Sequence, residues 1–529
     1  MPTYLTPGVY VEEVPSTSKP IEGVSTSIAA FVGLAPGGPV NTPMRIANWT
    51  QFAKIYSDPV NPENGPFMED AYLAHSVYGF FQNGGTLCWI VRVGQAGGGP
   101  GTLAQAALPA AADSGVETLR VLSLPDVDGQ VTVEISENPI IKTDGDGAGD
   151  KPAGEREPTY KITISAPGGS VESYENLTLK KGRNNIATKI NGASKLVKIE
   201  ETGNALPEAQ RGPASGKYVL SAPSVPAEKI EASDFAGDVA RRRGIGGLAA
   251  VDEITMIAIP DLWAISENGN GKVVNDLQGK LIAHCENAGD RMAILDAPNG
   301  MLPQDVLDWR MNDAGYDSKF AALYWPWIEV MNPLTNKPLT IPPSGHVAGV
   351  WCRTDATRGV HKAPANEVTL GTNSVAFQIT QAEQGSLNKA GINCIRAFPG
   401  RGIRIWGART LSSDPEWRYI NVRRLFNYIS ESIMEGTQWS VFEPNDQKLW
   451  IQLRIAASSF LTRTWREGAL FGATPGQAFF VKCDDETNPP DVIEAGQVVC
   501  EIGIAPVKPA EFVIFRLSQY ADGGAQVEA

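Results

Sequence analysis

The sequence predicts a multidomain chain of α/β and α+β type, and three observations carry that prediction. Residues 254–330 alternate short apolar runs with amphipathic helical runs, the rhythm of a mostly parallel sheet. A glycine-rich stretch at 94–101 (GQAGGGPG) separates two texts of different periodicity. The 529 residues are 42% hydrophobic and 20% charged; since one core stops growing at roughly 250–300 residues, three or more domains are expected. The 54 glycines and 38 prolines imply many turns and no long coiled coil.

Taken in order, residues 4–14 are β-branched and partly alternating, bracketed by Pro2, Pro7 and Pro15. Proline removes a backbone donor, so this segment reads as an extended arm. Residues 27–33 (SIAAFVG) form a compact apolar strand. Residues 48–57 have helical spacing, with Trp49, Phe52, Ala53 and Tyr56 on one face. A second helix is expected over 68–82, ended by Asn83-Gly84-Gly85. Residues 87–93 (LCWIVRV) are a buried strand, completing a β-α-α-β block. Beyond the glycine linker the text turns β-like, with runs at 118–124, 130–136, 160–165, 175–179 and 218–221 separated by polar loops such as 143–154. An inserted β-rich domain facing solvent is the reading.

Regular alternation resumes at 254–259 (ITMIAI), followed by a helix over 273–287, a strand at 291–296 (RMAILD), a helix over 305–311 and a strand within 320–330. This predicts a mostly parallel sheet covered on both faces. Strands are expected at 393–398 and 402–410. Asp414-Pro415 then supplies an N-cap and a first-turn proline for a helix to Glu435, with Ile420, Leu425, Ile429 and Ile433 on its buried side. A helix over about 447–467 and strands near 478–483 and 498–505 follow. The last run, 510–518 (AEFVIFRLS), is apolar on both faces, with Phe512 and Ile514 one way and Val513, Phe515 and Leu517 the other. Such a strand normally lies inside a sheet, yet it follows Pro506 and Pro509 at the end of the chain. It reads either as the closing strand of its own domain or as a strand donated to a neighbouring subunit. Two such arms on one chain permit a head-to-tail contact that never closes.

The net charge of -14 argues against a general nucleic-acid binder, which needs a basic face. No secretory signal is visible, and no apolar run reaches the ~18 residues needed to span a bilayer, so a cytoplasmic product is expected. The six cysteines (88, 285, 352, 394, 483, 500) show no CxxC spacing and are read as reduced. The four histidines lack metal-site spacing. Closely spaced glycines in 241–247 (RRRGIGG) precede a strand, whereas a dinucleotide site needs them after one, and no Walker-type phosphate loop is present. Residues 344–349 (SGHVAG) are similar to the histidine segment of subtilisin-type proteases. The sequence GTNS at 371–374 is not the matching nucleophile motif, and neither Asp252 nor Asp296 stands in the expected aspartate context. No catalytic, cofactor-binding or metal-binding residue is assigned.

Several segments together resemble the contractile tail-sheath family of bacteriophages, R-type pyocins and extracellular contractile injection systems. They are TPGVYVEEV (6–14) with KPIEGVSTSIAAFVG (19–33), PPSGHVAGVWCRTDATRGVHKAPAN (342–366), LNKAGINCIRAFPGRGIRIWG (387–407) and WRYINVRRLFNYISESIME (417–435). The resemblance implies a subtilisin-like α/β central domain without a protease triad, an α+β C-terminal domain and an outward-facing β-rich insert. It implies sixfold rings stacked helically around an inner tube, linked by strand arms and contracting to drive the tube through an envelope. The domains expected are an N-terminal arm (1–20), the first part of the sheath core (21–95), the insert (96–245), the subtilisin-like domain (246–386), a tube-facing C-terminal domain (387–508) and a C-terminal arm and tail (509–529). Val9, Tyr10, Val11, Val14, Phe512, Val513, Ile514, Phe515 and Leu517 are the arm candidates. Arg418, Arg423 and Arg424, or Arg454, Arg463 and Arg466, are the candidates for facing an acidic tube. The expected partners are copies of itself, an inner tube protein, and baseplate and terminator or cap proteins. No cofactor, nucleic acid or membrane insertion is expected. Assembly is expected in the bacterial cytoplasm, within a phage tail or a tail-like particle that becomes extracellular after lysis. Other readings are a hydrolase with a β-rich accessory domain, or a strand-swapped capsid or adhesion protein.

Overall fold

Strand residues apolar on both faces must be covered on both faces, and the computed structural model places nine such and flanking strands in one sheet. It describes residues 20–516 apart from 59–64, 70, 95–103, 113–115, 125–126, 128–130, 138–157, 167–169, 203–206, 208–209, 221–229 and 267–270. The arm at 4–14 with Val9, Tyr10, Val11 and Val14, most of the glycine linker, the loop at 143–154 and Leu517 therefore lie outside the described residues.

The chain begins with β1 (Ile28–Gly33) and β2 (Met44–Ile46), helices α1 (Trp49–Tyr56) and α2 (Leu73–Gln82), and β3 (Leu87–Arg92). The insert contributes β4 (Gln105–Pro109), β5 (Glu117–Ser123), β6 (Thr132–Glu137), β7 (Tyr160–Ser165), β8 (Val171–Leu177), helix α3 (Ile186–Asn191), β9 (Val197–Glu201) and β10 (Gly216–Val219). Short helices α4 (Ala232–Ala236) and α5 (Gly244–Gly247) lead to β11 (Met256–Ala258), α6 (Gly271–Ala288), β12 (Met292–Asp296), α7 (Pro303–Asp308) and β13 (Ala321–Trp325). Then come β14 (Ile328–Met331), β15 (Pro338–Ile341), α8 (Ser344–Arg358), β16 (Glu367–Val368), β17 (Thr372–Val375), α9 (Gln381–Lys389), β18 (Ile392–Phe398) and β19 (Gly402–Trp406). The last elements are α10 (Ile420–Gly436), α11 (Gln447–Arg466), α12 (Pro475–Ala478), β20 (Phe479–Lys482), α13 (Pro490–Glu494) and β21 (Glu501–Ile504).

The large sheet runs β16-β19-β18-β13-β12-β11-β1-β3-β2. Its six strands from β18 to β3 are parallel, and the outer strands β2, β19 and β16 are antiparallel. Successive residues of one strand go to opposite cores. Ala30, Val32, Ile257 and Leu323 pack with Val274, Leu277 and Leu281 of α6. Ala29, Phe31, Met256 and Tyr324 pack with Leu73, Val77 and Phe80 of α2 and Val347, Val350 and Trp351 of α8. The insert has its own sheets, β4-β5-β9 and β10-β6-β7-β8, over a separate cluster that includes Leu108, Val121, Val133, Ile162 and Leu177.

Two units of unequal size divide the chain. Of the described residues, the larger takes those within 23–359 and 364–431, and the smaller takes 20–22, 360–363 and 432–516. In the smaller unit α11 packs Leu449, Trp450 and Leu453 with Cys483, and β20 pairs antiparallel with β21.

Several expectations are corrected. Helix α2 starts at Leu73 and not near 68, because the buried Asp261 carboxylate accepts the backbone N–H groups of Tyr72 and Leu73, the latter at 3.1 Å, and caps it there. The boundary drawn at 386/387 falls inside the sheet: β18 pairs with β13 and β19 with β18. Ile230, Phe235 and Ile245 join the α/β core, so the insert's own core ends before residue 230 and not at 245. Asp414 caps only a 3-10 turn, Pro415–Trp417, and α10 starts anew at Ile420. Residues 510–516 form no strand and pair with no strand among the described residues. A strand needs a hydrogen-bonding neighbour, and Pro506 and Pro509 supply no donors toward one.

Candidate functional site

The segment SGHVAG opens helix α8 directly after Pro342-Pro343. The first N–H groups of a helix lack intrahelical partners and carry its positive end. Here Asp296, at the end of β12, accepts the Ser344 N–H at 2.9 Å. The backbone carbonyl of Asp296 accepts from Trp263 Nε1 and Gln278 Nε2, each at 2.9 Å. Burial pushes the Asp296 carboxyl up to about 7 despite the Ser344 hydrogen bond. His346 is 2% exposed, and its Nδ1 has no hydrogen-bond partner among the described residues. Its ring fills the space above Gly79 of α2, where any Cβ would overlap it. Gly345 and Gly349 let α8 approach the backbone of Ser76 and Phe80 in the same way. Burial, reinforced by the neighbouring His75, holds the His346 imidazole down to about 4, and burial holds His75 down to about 4. A catalytic base needs both a nucleophile and an orienting acceptor. Asp296 is spent on the helix start. Ser374 lies in β17, with its hydroxyl donating to the Val375 carbonyl at 3.4 Å. The similarity to a protease is therefore a similarity of helix packing.

The arginine candidates separate sharply. Arg424 is buried and grips the buried Asp355 carboxylate with two hydrogen bonds, 2.9 and 2.5 Å long. It also donates to the Thr26 carbonyl at 3.0 Å and lies 4.7 Å from the Trp351 ring. Arg423 is buried among Phe320, Trp417 and Phe426, 4.9, 4.4 and 5.6 Å from their rings, and donates to Asn427 Oδ1 at 2.7 Å. Burial lowers its guanidinium to about 10. The expectation that these two face a tube is corrected: they clamp α10 inside the larger unit. Arg418, Arg463 and Arg466 are exposed and Arg454 is half-buried. Arg463 also donates to the Ile21 carbonyl at 3.0 Å.

Of the arm candidates, Phe512, Val513, Ile514 and Phe515 are 73, 70, 78 and 85% exposed. The smaller unit also exposes Ile451 and Ile455 on one face of α11, Phe471 and Phe480. Phe442 is fully exposed and takes a left-handed φ of 66°. The sequence reading missed this residue, and nothing in the composition of its loop marks it. Among the described residues no helix is long and apolar enough to cross a membrane, and no group of histidine, cysteine and acidic side chains is placed to hold a metal.

A helix start that occupies the Asp296 carboxylate, together with large apolar side chains exposed on one unit, defines a class: an assembling structural protein on a multidomain α/β scaffold. The comparisons agree. Residues 247–411 match the phage tail sheath protein central domain, and residues 412–519 match the phage tail sheath C-terminal domain. The tail sheath protein of Burkholderia phage BcepMu is 24% identical, over 96% of this chain and 95% of that one. The sheath proteins of Vibrio phage KVP40 and Salmonella phage ViI are 26% and 30% identical over 51% and 39% of this chain. The chain spans 40% and 32% of the length of those two relatives. Among solved structures, the anti-feeding prophage helical sheath in the contracted state superposes with a TM-score of 0.57 at 24% identity, covering 98% of this chain and all of that one. The sheath complex of an extracellular contractile injection system, PVC, also contracted, gives 0.56 at 22% identity over 98% of this chain and 99% of that one. The chain belongs to the phage tail sheath family, whose members are structural components of tails and tail-like particles and not enzymes.

Proposed function

We propose that this chain is a contractile sheath subunit: copies stack as helical sixfold rings around an inner tube and shorten to drive that tube through a target envelope. The observation that carries the reading is the run Phe512–Phe515, four large apolar side chains at least 70% exposed on a backbone with no strand partner among the described residues. Leaving such a run in water is unfavourable, and pairing it with a neighbour's sheet edge satisfies its backbone while burying alternate side chains. The segment around Val9, Tyr10, Val11 and Val14, and Leu517, would act with it as linking arms. Contacts to the tube would come from Arg418, Arg454, Arg463 or Arg466 and from the apolar tip at Phe442. The domain topology around α8 is subtilisin-like without the protease chemistry, and the insert faces outward. Baseplate and terminator proteins would cap the polymer, which assembles in the cytoplasm.

Burying an extra ~400 Å² of apolar surface per subunit on contraction supplies at most roughly 10 kcal/mol, and hundreds of such steps in series need no nucleotide. The test is negative-stain microscopy of the purified chain beside a version lacking residues 511–529. Full-length protein is expected to form hollow tubes, and the shortened chain folded subunits without long tubes. Normal tubes from the shortened chain would overturn the arm model.

A further inference from the structure

The antiparallel ladder of β20 and β21 pairs Phe479 with Ile504, Phe480 with Gly503, Val481 with Ile502 and Lys482 with Glu501. Carried one residue further, the same register sets Cys483 opposite Cys500. The two side chains pack in one cluster with Trp450 and Leu453. Asn488 braces the far side of the pair: its Nδ2 donates to the Val499 carbonyl at 3.0 Å, and its Oδ1 accepts the Val499 N–H at 2.7 Å. The backbone on either side of both cysteines is thus pinned. Directly opposed strand residues hold their Cβ atoms about 4.5–5.5 Å apart, and a disulfide needs about 3.5–4.5 Å, so closure takes a small local movement.

Access separates Cys500 from the other five cysteines, and the strand register places Cys483 beside it. Cys88, Cys285, Cys352, Cys394 and Cys483 are buried, whereas Cys500 is the one cysteine of the six that is only half-buried. Cys88 and Cys352 are near enough to interact, but both lie sealed in the α/β core.

We propose that Cys483 and Cys500 are a reversible modification site, a dithiol that closes to an intramolecular disulfide by exchange with small-molecule disulfides. The Cys500 thiolate attacks one sulfur of the reagent, forms a mixed disulfide and expels a small thiolate. The Cys483 thiolate then attacks the Cys500 sulfur and expels the second. Two protein thiols are oxidised, one small disulfide is reduced to two thiols, and the two protons leave with them. Burial holds the Cys500 thiol up to about 12 and raises that of Cys483, so few thiolates form near neutral pH and closure is slow. Closure would staple the loop that carries α13. For a particle of the proposed kind, the pair would stay open during assembly in a reducing cell and close after release; that timing rests on the proposed function, whereas the chemistry does not.

The experiment incubates the full chain with oxidised glutathione at about pH 8.5, alkylates the remaining thiols after denaturation and maps peptides by mass spectrometry. The expected result is a Cys483–Cys500 cross-linked peptide, with Cys88, Cys285, Cys352 and Cys394 alkylated. The melting temperature should rise by about 5 °C and fall back with dithiothreitol. C483S should retain a glutathione adduct on Cys500, and C500S should show neither adduct nor cross-link. Stable glutathionylation of Cys500 in the unsubstituted chain, or alkylation of all six cysteines after prolonged incubation, would overturn the proposal. Tube formation, scored separately by microscopy, tests the assembly reading and leaves the peptide map to judge the site.

Discussion

Asp296 and the two buried histidines give the fold opposing responses to acid. His75 and His346 are held down to about 4, so between about pH 6.5 and 4 the unfolded chain takes up protons that the native state refuses. Their contribution to stability is lost as the pH falls through that window. Asp296, pushed up to about 7, does the reverse: the native state binds its proton first and gains stability as the pH falls from about 7 to 4. Asp296→Asn removes this compensation while its amide oxygen can still accept from Ser344. The variant is expected to gain about 1–2 kcal/mol near pH 8 and to lose stability more steeply between about pH 7 and 4.5, as read by melting temperature across a pH series. Phe442 is the other residue at odds with its own free subunit. A left-handed backbone costs a non-glycine residue about 1 kcal/mol, and this side chain recovers nothing by burial. Phe442→Gly should therefore stabilise the isolated subunit by about 0.5–1 kcal/mol in urea unfolding, and if the side chain docks on assembly, the same change should shorten the polymers.

At the scale of elements, the joint between α8, α10 and the segment entering β1 depends on one buried ion pair. Asp355 receives both Arg424 hydrogen bonds and those of the Thr26 and Ser27 hydroxyls, at 2.7 and 3.3 Å. Removing one member of a buried pair strands the other charge, so Arg424→Leu should destabilise the chain by roughly 3–5 kcal/mol. The double change with Asp355→Asn should recover part of that, which a double-mutant cycle by urea denaturation measures. The same joint shows which elements were legible in the sequence. Helices whose start signals are local were readable: Asn48 caps α1, accepting the Gln51 N–H at 2.8 Å, and Asp446 caps α11, accepting the Leu449 N–H at 2.9 Å. Strands such as β1 and β12 were readable because every residue in them is buried. The start of α2 was not, since its cap is Asp261, which lies beyond the whole insert. Arg423 and Arg424 read as candidates for facing a tube for the same reason: the rings of Phe320 and Trp351 and the carboxylate of Asp355 come from other elements and leave no mark beside them in the chain. Gly345 looked like part of a catalytic motif because helix-to-helix contact and catalysis both select small residues.

At the scale of the molecule, the insert is attached to the sheath scaffold without sharing its core. Among the described residues, strands β4–β10 pair only with one another, and their buried side chains form a cluster with no member in either core of the large sheet. The segments on either side of the insert return to the same core: Val93 and Ile230 belong to one cluster, and α5 packs against β3, so the scaffold chain leaves and re-enters on one face of the large sheet. Stability in such an arrangement divides between two cooperative units, each held by its own buried apolar surface. Replacing residues 96–229 with a flexible linker of about 10 residues should therefore leave the scaffold folded, with its main thermal transition moved by less than a few degrees. Calorimetry is expected to show the missing heat confined to a separate transition that the full chain displays and the shortened chain lacks. A single transition in the full chain that collapses when the insert is removed would mean that the insert braces the scaffold. If the insert does not, its sequence and size can change while the large sheet, the α8–α10 joint and the smaller unit keep their folds.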